Sequence, residues 1–519
     1  MAGEANSSRN KIYAIGVVVF LALISLLYYI SAPVYLYIVV YMWFGFLYGA
    51  FQQYGRFCFA SAWRDLIMVK VPRMFVGIMI GLMTLSIISA WLFTQYPNFY
   101  HTSPMGPHEL VGGFLFGLGM VFAGGCATGS LYKTGEGNMI SLTVLLSLSF
   151  AQAIFVALPF FDPVMDALHF TGPNSNPADT STWHWPQFLL TDKLFGIDET
   201  TGQHASFIQN LIGNSIVGTI LIGLVFLIGV YIFVVRKGFL SRRKQNIAAT
   251  AGAAADGGEV KTSFKDELAG FWSMITSSKR TTIAAVALGV IAAIQVFTMS
   301  AMRDSYDFGN PPGNPNGTGN FGQVFAVGPE GQRLTADGKP APDTWPAADP
   351  SQATKNGTMF DPGYWYITTQ EAMAAAWVID GTHIANLKPS HAAGGNRYFG
   401  DANGVPSPWN SPALLLSFGL ILGAAFLALW NKEFKWKFPT RELFIYAVVG
   451  GTIMGIGARI ALGCNIGAFY TRAAFGSLGG WIFFIGMGIG ALVSARIVNY
   501  IANKKMAKQM ESMDFDIEL

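Results

Sequence analysis

Charged side chains are scarce in this chain. Asp, Glu, Lys and Arg make up 12% of its 519 residues, hydrophobic residues make up 52%, and the mean hydropathy is +0.40. So few charges cannot cover the surface of an ordinary soluble protein. The net charge of +3 is dispersed, which argues against nucleic-acid binding because that requires a clustered basic face. We therefore expect an integral membrane protein in contact with a lipid bilayer.

Cysteine is also rare, with only Cys58, Cys126 and Cys464 in the chain. These thiols cannot form a full disulfide framework, and the absence of C-x-x-C gives zinc and dithiol-redox sites little support. No G-x-x-x-x-G-K-[ST] occurs, so the usual ATP-driven motor is absent from this chain. His101 and His108 fall in a predicted external loop, where we expect solvated side chains. We expect no metal site and no cofactor.

What the sequence does contain is an internal repeat. The stretch 111–132, VGGFLFGLGMVFAGGCATGSLY, recurs without a gap at 449–470, 338 residues downstream, with ten of the 22 positions identical. Cys126 and Cys464 occupy equivalent positions in the two copies. Such a repeat divides a membrane protein into two related halves. A weaker echo, FGFLYGAF at 44–51 and FGLILGAAF at 418–426, is interpreted as a further element of those halves.

The distribution of Lys and Arg predicts how the halves cross the membrane. Cations at 56–73, 236–244, 432–441 and 504–508 predict cytoplasmic segments, whereas Thr94 to Glu109 contains neither Lys nor Arg and is placed outside. The first copy of the repeat then enters from the outside and the second from the inside. This is the inverted-repeat architecture of membrane transporters. Both termini are predicted to be cytoplasmic.

The predicted fold is an all-α integral membrane protein. It is an inverted structural repeat of transmembrane helices, with short re-entrant or broken helices meeting near the midplane. The segment 301–410 is interpreted as a simple external insertion or as a small lid or docking domain. The predicted domains are the N-terminal transmembrane half 1–244, a cytoplasmic linker 245–278, a transmembrane helix 279–300 of the C-terminal half, an extracytoplasmic insertion 301–410, and the remainder of that half 411–519.

Glycines flank both repeated cysteines, in AGGCATGS and LGCNIGAF. The rows Gly113/Gly117 and Gly451/Gly455 are typical of close helix packing. The glycines beside the cysteines favour a broken helix, whose freed N–H groups need a partner in hydrocarbon. An anion could be that partner, because helix N-termini attract negative charge. The predicted binding residues are Gly125, Ala127, Thr128, Gly129, Gly463, Asn465, Ile466 and Gly467.

Two arginines join these candidates. Arg459 falls within the second apolar repeat, where a charge costs at least ~2.5 kcal/mol. It should face protein, water or an anion, or else snorkel or cap a helix end. Arg56, two residues before Cys58, invites the same argument with less force because it lies near the inner boundary. For any single cysteine the alternative is a small buried apolar residue.

Three motifs resemble the YeeE/YedE membrane family, which includes bacterial thiosulfate-uptake proteins. They are GRFCFASAWRD at 55–65, GMVFAGGCATGSLYK at 119–133 and GARIALGCNIGAFY at 457–470. The resemblance covers the membrane parts of both halves but neither 245–278 nor 301–410. It implies an hourglass of spanning helices with short helices entering from both sides. It also implies that Cys58, Cys126 and Cys464 line the substrate path and relay thiosulfate through transient S–H···S contacts.

The resemblance implies a permease, not an enzyme, in the inner (plasma) membrane. Its first substrate is thiosulfate, and sulfite, sulfide, a persulfide or a selenium compound are alternatives. It also implies a cytoplasmic sulfur-carrier or rhodanese-type partner. Two other classes stay open: a membrane thiol enzyme that transfers sulfane sulfur, and a sensor or scaffold that binds the anion without passing it.

Overall fold

The computed structural model describes residues 2–31, 36–95, 106–158, 161, 164, 216–241, 263–302, 306–308, 323–327, 333–334, 358–359, 365, 367–382 and 408–517. Three π-helical segments are Asp65–Val69, Tyr231–Val235 and Asn465–Thr471, and Pro408–Asn410 is a 3-10 turn. The α-helices are α1 (Ala2–Ser31), α2 (Leu36–Gly55), α3 (Phe59–Arg64), α4 (Arg73–Gln95), α5 (Pro107–Phe122), α6 (Ala127–Gly135), α7 (Met139–Ala157), α8 (Ile216–Val230), α9 (Phe264–Ile275), α10 (Lys279–Met302), α11 (Thr368–Thr382), α12 (Pro412–Trp430), α13 (Arg441–Ile460), α14 (Arg472–Ala474) and α15 (Leu478–Ile517).

The chain is a multi-pass membrane protein. Nine helical segments within the described residues are long and apolar enough to cross a bilayer, which requires about 20 apolar residues. Four short antiparallel strands form one small sheet in the described part of the chain. The central strand β2 (Gln323–Val327) pairs with β1 (Tyr306–Phe308), β3 (Arg333–Leu334) and β4 (Thr358–Met359). The prediction of an all-α membrane protein is confirmed, with this small sheet as an addition.

The two repeat copies pack against each other and run in opposite directions. A β-carbon placed on Gly112 of α5 would lie 2.7 Å from the Gly457 carbonyl oxygen of α13, and one on Gly119 would lie 2.6 Å from that of Gly450. The earlier residue of α5 therefore meets the later residue of α13, so the crossing is antiparallel. Because a side chain would not fit at these positions, glycine lets the two backbones touch.

Each copy also packs in parallel on the helix that follows the other copy. Gly113 and Gly117 of α5 face the backbone of α15, whereas Gly451 and Gly455 of α13 face the backbone of α7. These are the small-residue rows that the sequence assigned to helix packing. The arrangement places α5 and α13 at the centre, with α15 and α7 on their flanks.

The echo between 44–51 and 418–426 has a different meaning from the one predicted. Gly45 and Gly49 of α2 approach backbone carbonyls of α12, while Gly419 and Gly423 of α12 approach those of α2. The contacts advance together along both helices, so α2 and α12 are parallel. If α2 and α12 were equivalent helices of two inverted halves, they would run in opposite directions. The interpretation of the echo as a repeated element of the halves is therefore wrong. The two motifs resemble each other because each supplies one glycine row to the same close helix pair.

The bundle has two chemically distinct ends. At the end that we call the basic end, Arg56 donates to Glu136 at 2.7 Å and to Glu433 at 2.9 Å, near the ends of α2, α6 and α12. The opposite end holds a buried ion pair between Arg472 Nη1 and Glu109 Oε1 at 2.8 Å. We call it the Trp365 end, because the Thr471 hydroxyl beside Arg472 donates to the Trp365 carbonyl.

His108 lies in the first turn of α5 and is fully buried, so the prediction of a solvated His108 is wrong. The cause is the start of α5 at Pro107, which places this part of the predicted loop within a packed helix. His101 lies outside the described residues.

Two segments between the apolar runs contribute helices of their own. The predicted linker 245–278 is described from Ser263, which caps the N-terminus of α9. The segment 301–410 contributes α11, whose Ala372 and Met373 join a buried cluster with Phe155 near the C-terminus of α7. Just before α11, the buried Trp365 stacks on Tyr48 of α2 with ring centroids 4.1 Å apart. This part of the segment is thus packed into the bundle.

Candidate functional site

Each of the three cysteines is the residue that immediately precedes a helical segment. Cys58 precedes α3, Cys126 precedes α6, and Cys464 precedes the π-helical segment Asn465–Thr471. All three have extended backbone conformations and fully buried side chains. The sequence repeat predicted a common setting for Cys126 and Cys464. The structure adds Cys58, which lies outside the repeat but begins a helix in the same way.

The turn before each cysteine is also the same. Two residues before each cysteine, the backbone is left-handed. The N–H of the residue between them bonds to the carbonyl five residues before its own position, which is the Schellman ending of a helix. The left-handed residues are Arg56 (φ 54°), Gly124 (φ 68°) and Leu462 (φ 54°), and the bonds are Phe57 N to Gln52 O at 3.0 Å, Gly125 N to Met120 O at 3.1 Å and Gly463 N to Ala458 O at 2.8 Å. The chain thus ends one helix, reverses within a few residues and presents a cysteine at the start of the next.

Cys58 and Cys126 form a thiol pair, with their Sγ atoms 3.8 Å apart. The Gly129 N–H donates to Cys126 Sγ at 3.2 Å, as expected of a free N–H in the first turn of a helix. A β-carbon on Gly129 would lie 2.5 Å from Cys58 Sγ and 3.1 Å from Cys126 Sγ. Glycine at this position therefore makes room for both sulfur atoms.

Cys464 repeats half of this arrangement. The Ile466 N–H donates to Cys464 Sγ at 3.4 Å, and the Gly467 amide also faces the sulfur. A β-carbon on Gly463 would lie 2.8 Å from the Ala468 nitrogen, so this turn too depends on a missing side chain. The Ser61 amide faces Cys58 in the same way, so helix N–H groups point at all three thiols.

Polar side chains around these turns are buried without hydrogen-bond partners among the described residues. Buried polar atoms of this kind normally have a partner, since leaving one unsatisfied costs about 1–3 kcal/mol. The atoms are Thr128 Oγ1, Ser130 Oγ, Asn465 Oδ1 and Nδ2, and the Tyr470 hydroxyl. Ala127, at the repeat position of Asn465, is buried and contributes only its backbone. At Gly125 a β-carbon would lie 3.0 Å from Ser130 Oγ, which keeps that position small.

An aromatic contact connects the two parts of the site. The Phe59 ring, next to Cys58, meets Phe469 and Tyr470 edge-on at centroid distances of 6.2 and 6.1 Å. Tyr470 in turn meets Trp365 at 6.1 Å. These rings form a continuous packed line from the helix of Cys58, through the π-helical segment that follows Cys464, to the Trp365 end.

The two candidate arginines lie in different settings. Arg459 is 1% exposed in the last turn of α13, so it faces protein and does not snorkel. The Arg56 side chain is 49% exposed at the basic end, where it bonds to Glu136 and Glu433. Burial raises the pKa of Glu136, and the Arg56 charge opposes that shift. Lys133 also lies at this end and donates to the Gly124 carbonyl at 3.0 Å, beside the turn of Cys126.

Sulfur atoms, helix N–H groups and unpaired hydroxyl and amide groups together suit a soft, partly oxygenated anion better than a metal ion. Within the described residues, no cluster of three His, Cys, Asp or Glu side chains could hold a metal. The fold and the site define a multi-pass membrane protein with thiols buried at paired helix breaks.

Comparison with known proteins identifies the family. The sulphur transport family matches residues 54–330 and 353–493, which is more than half of the chain. The chain belongs to this family, and the predicted resemblance is confirmed.

Three curated relatives match shorter stretches. The thiosulfate transporter TsuA of Escherichia coli (strain K12) is 35% identical over 144 residues, which cover 27% of this chain and 37% of that protein. TsuA of Spirochaeta thermophila is 41% identical over 99 residues, covering 18% and 28%. The probable transporter YedE of Escherichia coli (strain K12) is 37% identical over 98 residues, covering 19% and 24%. The matched stretches thus span well under half of these relatives.

Proposed function

We propose that this protein is a permease for a sulfur-containing anion, most directly thiosulfate, which passes along a path lined by Cys58, Cys126 and Cys464. The observation that carries the proposal is the Cys58–Cys126 pair, with sulfur atoms 3.8 Å apart in a break between helices. The same helix break recurs at Cys464. Membership of the sulphur transport family and the relatives named thiosulfate transporters support the substrate class.

The chemistry of the site suits this substrate. Thiosulfate has a terminal sulfur, which a polarizable thiol can contact, and oxygens that accept hydrogen bonds from helix N–H groups. The unpaired side-chain atoms of Thr128 and Asn465 supply further polar contacts. Thiols and neutral dipoles hold an anion weakly, and conduction requires that each site also release what it binds.

We also propose that the two halves form an inverted repeat with its centre at the crossing of α5 and α13. The antiparallel contact of Gly112 with Gly457 supports this, because equivalent helices of inverted halves run in opposite directions. By the positive-inside rule, the basic end faces the cytoplasm of a cell with an inner (plasma) membrane, and both termini are cytoplasmic. A sulfur-carrier or rhodanese-type protein would receive the sulfur there.

The experiment that tests this function is uptake by the purified protein alone. Proteoliposomes that contain the full chain should accumulate radiolabelled thiosulfate faster than empty vesicles. Unlabelled thiosulfate should compete, whereas sulfate, which lacks the terminal sulfur, should compete weakly. Uptake no faster than that of empty vesicles contradicts the permease function. The alternative is then a sensor or scaffold that binds the anion without transporting it.

A second function is favoured by the same thiol pair. A membrane thiol enzyme would use the Cys58 thiolate to attack the outer sulfur of thiosulfate, so that the S–S bond breaks and sulfite leaves with the electron pair. Cys126, 3.8 Å away, could then resolve the persulfide, although the sequence has no C-x-x-C. Intact-protein mass after trapping during turnover separates the two functions. A sulfur adduct on Cys58 with release of sulfite supports the enzyme, and unmodified thiols during uptake support the permease.

A further inference from the structure

The neighbours of the three thiols reveal a partner that is not a cysteine. Cys126 meets Cys58, which comes from the connection after α2 and immediately precedes α3. Cys464 faces the side chain of Thr368, which is the first residue of α11 and comes from the connection after α10. Each repeated cysteine therefore faces the start of a helix that is not part of its own repeat copy. At Cys464 that helix is α11.

The first turn of α11 also carries a buried carboxyl group, Glu371. It is 7% exposed, and neither of its oxygens has a hydrogen-bond partner among the described residues. The carboxyl group interacts electrostatically with the Cys464 thiol, so the two groups are neighbours. A negative charge here would bear most of the cost of leaving water, because only the neutral Ser417 hydroxyl lies close enough to offset it in part.

No described cation compensates Glu371. Ser417 of α12 lies beside the carboxyl, Gln152 of α7 donates to the Thr368 carbonyl at 3.3 Å, and both are uncharged. Asp380 lies at the far end of α11. Burial raises the pKa of the Glu371 carboxyl to about 8. The group is thus mainly protonated near neutral pH.

We propose that Glu371 is a proton-binding site beside Cys464 that must hold a proton for an anion to pass that thiol and that releases this proton inward once per transport cycle, an inference that rests on the proposed permease function. The anion cannot pass an ionised carboxylate without like-charge repulsion at low dielectric. Once protonated, the carboxyl becomes a hydrogen-bond donor that an oxyanion can accept. The proton binds from the Trp365 end, and after the anion has moved on the acid releases it to water at the basic end.

The test uses the full chain in proteoliposomes that enclose a pH-sensitive dye. Wild-type protein should acidify the lumen when thiosulfate is added outside. Its uptake should fall about tenfold for each pH unit above the Glu371 pKa, as the protonated fraction falls. Glu371→Gln keeps the shape and neutrality of the acid but cannot release a proton. This variant should carry the anion more slowly, without acidification and with a flat pH profile.

A matched control is Glu442→Gln, which removes an exposed carboxylate at the start of α13 and should acidify the lumen as wild type does. The proposal is overturned if Glu371→Gln acidifies the lumen as wild type does, or if wild-type uptake proceeds without acidification. In either case Glu371 carries no proton with the anion.

Infrared spectra of the purified protein provide a readout that does not depend on transport. A protonated carboxyl band that titrates near the raised pKa and is lost in Glu371→Gln supports the site, because the buried Glu109 contributes equally to both spectra. A band that Glu371→Gln leaves unchanged contradicts the site. If the wild-type protein shows a band that is lost in Glu371→Gln but takes up no thiosulfate, the permease function is rejected, whereas the proton-binding site at Glu371 is still supported.

Discussion

Cys58 Sγ lies 3.8 Å from Cys126 Sγ although 68 residues separate the two cysteines in the chain. Two Schellman turns that face each other bring them together, one at the end of α2 and the other at the end of α5. Gly129 closes the arrangement, because its N–H bonds to Cys126 Sγ and its missing side chain leaves space for Cys58. The spacing of the sulfur atoms therefore depends on the two turns that position Cys58 and Cys126 and on Gly129 in α6.

Gly129→Ala should disrupt this spacing. The new β-carbon would lie 2.5 Å from Cys58 Sγ, and overpacking of this kind typically costs ~1–3 kcal/mol. We expect thiosulfate uptake in proteoliposomes to fall about tenfold or more. Gly229→Ala in α8 is the matched control, because nothing lies within 4 Å of its added carbon, and it should transport normally. Normal uptake by Gly129→Ala would show that the path does not depend on the thiol pair.

Trp365→Ala should open the Trp365 end. The side chain stacks on Tyr48 at 4.1 Å, and an aromatic pair contributes about 0.5–1.5 kcal/mol beyond its buried area. A membrane-impermeant maleimide added from that side should label Cys464 up to about tenfold faster, as located by peptide mass. Trp409→Ala removes a 65% exposed ring at the same end and should leave labelling unchanged. Equal labelling of Trp365→Ala and wild type would mean that Trp365 does not close the route to Cys464.

Glu109→Gln should destabilise the fold. Arg472 would lose its carboxylate in a site where the two side chains are 7% and 0% exposed, and breaking a buried pair costs ~3–5 kcal/mol. We expect a clearly lower melting temperature in detergent. Glu267→Gln removes one partner of the more exposed pair with Arg236 and should cost at most ~1 kcal/mol. If both variants melt like wild type, the buried pair does not hold the Trp365 end together.

Much of the fold follows from local signals that the sequence displays. Hydrophobic length predicted α7 at Met139–Leu158, and the helix ends one residue earlier. The repeat predicted equivalent settings for Cys126 and Cys464, and α5 and α13 end at the equivalent residues Phe122 and Ile460. Both features can be predicted because hydrophobic length and the register of a repeat depend only on the order of residues in the sequence.

The remainder depends on long-range contacts. The Cys58–Cys126 pair could not be predicted from spacing, because two separate turns bring these cysteines together. The sequence contains one clue, Gly124 two positions before Cys126, whereas Arg56 and Leu462 are not typical residues for a left-handed turn. The packing of α11 was hidden because its flanking segment is rich in Pro, Gly and Asn, which is typical of an external loop.

Transport by single cysteine variants tests the central claim most directly. Proteoliposomes with wild-type protein, Cys126→Ala or Cys464→Ala should be compared for initial uptake of radiolabelled thiosulfate, with Gly229→Ala as the folded control. Each cysteine variant should lose most of the uptake while melting close to wild type, because a thiol at each helix break contacts the passing sulfur. Wild-type rates from both variants would contradict the cysteine-lined path and leave Cys126 and Cys464 as small packing residues.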